Sequence, residues 1–285
     1  MRARHGTAWS PGVMSADDPL DGDRAPAYNT SMTNLIGRGV RGGVPLLALL
    51  ALVALPGVPS SQLAAQAAGA GTTERSAATN QNGQDRWEST IKKFEDADKV
   101  TPPPQNAIVF IGASSIVRWN LPNSFPELGP QAINRGFGGS LATDSTRYAE
   151  RIVIPYKPRI VVFYAGDNDV EANHPPEQIA GDFAAFEGKV HAALPATNII
   201  FISIKPSIRR WPWIEQIKSA NALVRQYCAT HPHLTFVDIV PQMIGGDGKP
   251  RKELLVEDGL HMTPAGYKIW NDALRPLLQL SQSNQ

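Results

Sequence analysis

Residues 108–119 read IVFIGASSIVRW: a run of Ile, Val and Phe that stops at Gly112, with two serines directly after it. An apolar segment of this length with no polar alternation is the signature of a strand covered on both faces. The glycine ends it, and the serines stand where a following helix would begin. Read this way, the stretch is a strand-to-helix turn, the opening unit of an α/β sheet. The serines then have two readings. One of them caps the helix by accepting a backbone N–H, or the turn holds one hydroxyl outward beside the unpaired N–H groups of a helix N-terminus, where negative charge is favoured.

Working outward, four more segments have the same character: QAINRGF, RIVVFYAG, NIIFISI and LTFVDIV. Helical stretches separate them. WESTIKKFEDADKV precedes the first strand, ATDSTRYAERIV follows the second, and PEQIAGDFAAFEGKVHAAL follows the third with Pro176 at its opening. PWIEQIKSANALVRQYCATH follows the fourth, and PAGYKIWNDALRPLLQL closes the domain, with Thr263 as N-cap and Pro264 at the first helical position. Strands alternating with helices predict a parallel sheet clothed on both faces. In such a sheet ligands gather at the carboxyl ends of the strands. The residues placed there are 112–115, 135–140, 166–169 and 205–210.

Composition limits the functions open to this fold. The chain has 285 residues, 42% hydrophobic and 19% charged, enough apolar material for one full core. A net charge of +1, with no basic stripe interleaved with aromatics, argues against nucleic acid as a partner. Cys228 is the only cysteine, so no internal disulfide forms, and its surroundings read as a buried small hydrophobe. No Cys/His cluster has the spacing of a structural zinc site.

The N-terminal part reads as a targeting region. Arg38 and Arg41 precede VPLLALLALVAL, then Pro56 and the small-residue tail SSQLAAQAAGA, the layout of a secretory signal. The expected organisation is a signal peptide over 32–67, a polar linker over 68–84, a folded domain over 85–280 and a tail over 281–285. Residues 1–31 are either a disordered leader or sequence upstream of a true start at Met32. The apolar core is short for a bilayer span, so the expectation is export to the periplasm or medium with no membrane span after cleavage; an uncleaved anchor is the alternative.

Three polar clusters stand at the expected rim besides the serines. Asp258 and His261, in DGLH, lie three positions apart on a turn; such a pair can hydrogen-bond, fixing the imidazole tautomer and leaving its far nitrogen to take a proton. No third or fourth ligand at a helpful spacing makes them a metal pair. In GDND, Asn168 offers an uncharged N–H donor suited to a developing oxyanion, though an Asx turn explains the same residues. Read as a calcium loop, Asp167, Asp169 and Glu171 lack that loop's glycine and distal glutamate. In NRGFGGS, residues 134–140, the glycines let backbone approach a ligand closely, and no Lys-Ser/Thr pair follows to make a phosphate loop. KPSIRRWPW, residues 205–213, could line an acceptor side through Arg209, Arg210 and Trp211; ion pairing for the arginines and helix-start packing for Trp211 and Trp213 are equally compatible.

Taken in chain order, FIGASSI, NRGFGGS, GDND and DGLHMTPAGY resemble the four blocks of the SGNH, or GDSL, hydrolases, over nearly the whole domain from Ile108 to Pro276. The last block looks most like the branch holding the catalytic subunits of platelet-activating-factor acetylhydrolase and related secreted bacterial esterases. The resemblance implies a flavodoxin-like three-layer α/β/α sandwich with strand order 2-1-3-4-5, and no metal or organic cofactor. It implies Ser114 as nucleophile, His261 as base, Asp258 as its orienting carboxylate, and an oxyanion hole from the backbone N–H groups of Ser114 and Gly139 with the Asn168 side chain. The expected activity is hydrolysis of short acyl esters, acetyl foremost, on small-molecule, lipid or glycan substrates; the alternatives are a non-catalytic module binding acylated glycans and an acyltransferase using the same serine. One position departs from the pattern: Ala113 stands where the family has aspartate.

Overall fold

The computed structural model describes residues 85–279; the expectations for 1–84 and for 281–285 lie outside the described residues. Five parallel strands form one sheet: β1 (Ile108–Gly112), β2 (Ala132–Gly136), β3 (Ile160–Tyr164), β4 (Asn198–Ile202) and β5 (Leu234–Val237). Their order is β2-β1-β3-β4-β5, as the resemblance to the SGNH hydrolases implies. The helices in chain order are α1 (Glu88–Val100), α2 (Ser114–Val117), α3 (Leu121–Ser124), α4 (Ala142–Ile152), α5 (Asp167–Glu171), α6 (Pro176–Ala193), α7 (Ile214–Thr230), α8 (Val240–Met243) and α9 (Pro264–Gln279).

The pleat sorts each strand's side chains into two cores, because successive residues point to opposite faces. Val109, Ile111, Val161, Phe163, Ile199 and Phe201 pack on one face against Ile91 of α1, Ala149 of α4, Phe183 and Phe186 of α6 and Val224 of α7. Ile108, Phe110, Val162, Tyr164, Ile200 and Ile202 pack on the other against Ile116 of α2, Met243 of α8 and Trp270 and Leu274 of α9. Each such fully buried side chain contributes about 1.5–3 kcal/mol relative to exposure. Three layers result, with the four long helices α1, α4, α6 and α7 and the short α5 on one side and α9 with α2, α3 and α8 on the other.

Cys228 lies in the first core, where burial pushes its thiol up to about 12. It packs as an inert small hydrophobe. Among the described residues, no helix is long and apolar enough to cross a membrane.

The strand-end glycines are dictated by contact as well as conformation. Gly112 has φ +140°, and a Cβ there would stand 1.8 Å from the Tyr164 carbonyl oxygen on the adjacent strand. Only glycine lets β1 turn into α2 while the Ala113 N–H donates to that same oxygen at 3.2 Å. At the other end of the domain Thr263 caps α9 as expected, its Oγ1 accepting the Gly266 N–H at 3.3 Å.

Candidate active site

Parallel strands bring their carboxyl ends to one rim, and there the chain joins residues 147 positions apart. The Ser114 hydroxyl donates to His261 Nε2 at 2.8 Å. Nδ1–H of His261 donates to Asp258 Oδ2 at 2.6 Å, and Oδ1 of the same carboxylate accepts the backbone N–H groups of Leu260 and His261, each at 2.9 Å. Burial works to raise the Asp258 carboxyl, but the hydrogen bonds from the His261 ring, its N–H and the Leu260 N–H outweigh it and hold the group well below the usual carboxylate range. Asp258 therefore stays anionic and fixes which imidazole nitrogen faces the serine.

The two serines of the turn part company. Ser114 is half-buried with its Oγ on the imidazole, whereas Ser115 is buried and its Oγ has no hydrogen-bond partner. Ala113, at the position before the helix, offers no side-chain acceptor, and the turn is tied from behind instead. Asn134 Nδ2 donates to the Ile116 carbonyl at 2.7 Å while its Oδ1 accepts the Gly136 N–H at 2.9 Å. The Tyr267 hydroxyl donates to the Ser115 carbonyl at 2.8 Å. Backbone and these two side chains hold the turn where a carboxylate is missing.

The glycine loop lies directly against the serine: a side chain built on Gly138 would come 3.9 Å from the Ser114 Cβ. Gly139 has φ +75°, and neither its N–H nor that of Ser114 donates to another group among the described residues. Asn168, at the start of α5, donates through Nδ2 to the Ser140 carbonyl at 3.0 Å. The second N–H of that amide donates to no other group among the described residues, and the bond to Ser140 ties the Asn168 turn to the glycine loop.

The carboxylates flanking Asn168 serve structure. Asp167 is buried and accepts from Lys205 Nζ at 2.7 Å and from the Tyr164 hydroxyl at 3.1 Å. Burial opposes its ionisation, but the Lys205 ammonium overcomes this and holds the carboxyl below its ordinary value. Asp169 accepts the Ala142 N–H at 3.0 Å, pinning α4 beside the glycine loop.

Of the residues proposed for the acceptor side, Arg210 is corrected. It is 2% exposed, its Nε donates to the Asp167 carbonyl at 2.9 Å, and its Nη1 and Nη2 engage Glu171 at 2.7 and 2.5 Å. Bidentate pairing uses the face a ligand would need. Lys205 is likewise turned inward, so this segment meets the rim only in part. Arg209 is exposed and borders, with Ile208, Asp258 and Gly259, a shallow concavity of about 470 Å³. Trp211 is half-buried under the Lys249 ammonium, 4.7 Å from its ring centre, and Trp213 packs on the core. Arg86, which no motif marks, lies over the glycine loop: a Cβ on Gly139 would stand 2.7 Å from its Nη2. Its position depends on where the segment before α1 lands, and no local pattern reports that.

Known proteins share the family and the fold. Residues 115–269 match the model of the GDSL-like Lipase/Acylhydrolase family, a match that starts one residue past Ser114. The chain is 30% identical over 204 residues to platelet-activating factor acetylhydrolase IB subunit alpha1 of Bos taurus, covering 69% of this chain and 84% of that one. A GDSL-like lipase from Bacteroides thetaiotaomicron VPI-5482 is similar in structure, with a TM-score of 0.59 at 23% identity over 68% of this chain and 98% of the other.

Proposed function

The chain belongs to the GDSL-like lipase/acylhydrolase family and is a carboxylic ester hydrolase; from that premise we propose that Ser114, His261 and Asp258 are its catalytic triad and that it deacylates short-chain, foremost acetyl, esters outside the cytoplasm. The observation that carries the triad is the continuous hydrogen-bond path from Ser114 Oγ through His261 to Asp258. The acetyl preference draws on the acetylhydrolase relative. Export, to the periplasm or the medium, draws on the signal-like residues 32–67, with a membrane anchor as the other outcome.

In the proposed reaction Ser114 Oγ attacks the ester carbonyl carbon while His261 Nε2 takes the hydroxyl proton. The carbonyl π pair moves to oxygen, and the oxyanion is received by the N–H groups of Ser114, Gly139 and Asn168. Collapse breaks the ester C–O bond, and His261 returns its proton to the leaving alcohol. Water then attacks the acyl-serine with His261 again as base, releasing the acid and restoring the Ser114 hydroxyl.

Incubation with p-nitrophenyl esters of increasing chain length, with and without an added sugar, tests this reading. The expected result is p-nitrophenol release fastest with acetate, and free acid as the product. Acylated sugar would make the protein a transferase, and absence of release would make it a binding module.

The pH dependence follows from which groups change charge. His261 serves as base only when neutral, so kcat/KM rises with pH as its imidazolium loses a proton. Asp258, already held ionised, adds no second step in mild acid. A pH-independent kcat/KM with chemistry rate-limiting would remove His261 from the base role.

A further inference from the structure

We propose that Asp169, His174 and Asp182 form a divalent-cation site, of the kind that takes Zn²⁺, built behind the oxyanion loop and separate from the Ser114 chemistry. One donor atom from each of the three lies within 4.8 Å of the other two. Asp169 has a side chain 0% exposed. Its Oδ1 accepts the Ala142 N–H, while its Oδ2 is buried with no hydrogen-bond partner. His174 Nδ1, 3.9 Å from Asp169 Oδ1, is also buried and without a partner. A carboxylate oxygen and an imidazole nitrogen, both sealed from water and both unused, are costly to leave so. A cation between them satisfies both at once.

The backbone is shaped to bring them together. Asn173 sits at φ +62°, turning the chain back on itself, and the His174 N–H donates to the Asp169 carbonyl at 3.0 Å. Pro175 and Pro176 then start α6, which carries Asp182 onto the same side. The buried Lys205 ammonium is committed to Asp167.

The donor set chooses the class of ion. Two carboxylates and one imidazole match Zn²⁺ or Mn²⁺ with water completing the shell, whereas Ca²⁺ prefers six to eight oxygens. Zinc bonds of about 2.0–2.2 Å require donors roughly 3.4 Å apart, so side-chain adjustments of an ångström or so close the site. An ion there would tie α5 to α6 and fix the segment immediately after Asn168. Its role is therefore structural and positioning: it touches no reacting atom.

The test uses the full chain carrying His261→Ala, which removes the triad imidazole as a competing ligand. After chelator treatment and desalting, it is titrated calorimetrically with ZnCl₂, and thermal unfolding is followed with and without the metal. The expected result is one saturable Zn²⁺ per chain and a rise in Tm of a few degrees. Adding His174→Ala, or Asp182→Asn in a separate variant, weakens Zn²⁺ binding at least tenfold and abolishes the Tm shift; both positions are part-exposed, and circular dichroism checks their folding. Absence of saturable binding, or binding and a Tm shift that both variants leave intact, overturns the site. Because the readout is metal affinity in a protein without its triad histidine, this result stands or falls independently of the esterase reading.

Discussion

Ser114→Ala reduces ester hydrolysis on the order of a million-fold, while Ser115→Ala leaves it within a few-fold of the unmodified protein. The two hydroxyls are adjacent in sequence and opposite in setting. Ser114 Oγ donates to His261 Nε2 at 2.8 Å, whereas Ser115 Oγ is shut into the turn with no partner. Removing the first deletes the atom that forms the acyl bond; removing the second deletes a hydroxyl that already lacks a hydrogen bond, at little cost in stability. The residue left at 114 keeps the three candidate oxyanion donors, so a residual acceleration of about 10³–10⁴ over water is expected to persist. Turnover of p-nitrophenyl acetate by each purified variant, with thermal melts to show unchanged folding, checks the pair. A serine-directed phosphonate should label Ser114 and fail on the alanine variant. The reverse pattern, activity kept in Ser114→Ala and lost in Ser115→Ala, would place the nucleophile on the wrong residue of the turn and sink the mechanism.

How far the sequence could lead depended on the range over which each feature is determined. The strands were legible because burial on both faces writes itself locally: IVFIG and IVVFY are buried throughout, and in NIIFI only the leading Asn198 is polar. Their parallel order then carried Ser114 and Asn168 to one rim, whereas His261, which follows no strand, was marked only by its spacing from Asp258 and by the resemblance of its block. Sequence also marked Ala113 as a departure, but it could not say what holds the turn in its place. That answer lies in Asn134 and Tyr267, one on the neighbouring strand and one 152 residues away from the Ser115 carbonyl it binds. Arg210 misled because an arginine beside tryptophans after a strand reads the same whether it meets a ligand or Glu171. The choice was made by α5, whose five residues place Glu171 within bidentate reach. The Asp169, His174 and Asp182 cluster escaped for a similar reason: its spacings match no metal loop, and only the left-handed Asn173 and the packing of α6 bring the three together.

Asn168→Ala lowers kcat about 100- to 1,000-fold, equivalent to roughly 2.7–4 kcal/mol of transition-state stabilisation, with a much smaller effect on KM. The asymmetry follows from charge: a neutral ester oxygen gains little from the amide, and the oxyanion gains a great deal. Stability should change less than activity, because the backbone around Asn168 is fixed by its neighbours. Asp167 is locked to Lys205 and Tyr164 on one side, and Asp169 holds the Ala142 N–H on the other. What alanine does remove from the ground state is one hydrogen bond, to the Ser140 carbonyl. Asn168→Asp sharpens the comparison, since it keeps the shape but places an acceptor, and a negative charge when ionised, where the oxyanion forms; it should be at least as impaired as alanine. Steady-state kinetics with p-nitrophenyl acetate, read beside Tm, separates the two roles this side chain can have. Loss of kcat at unchanged Tm makes Asn168 an oxyanion donor. A fall in kcat only as large as the fall in Tm implies, with aspartate tolerated as well as alanine, would reduce it to a tether for Ser140 and leave the oxyanion to the two backbone N–H groups.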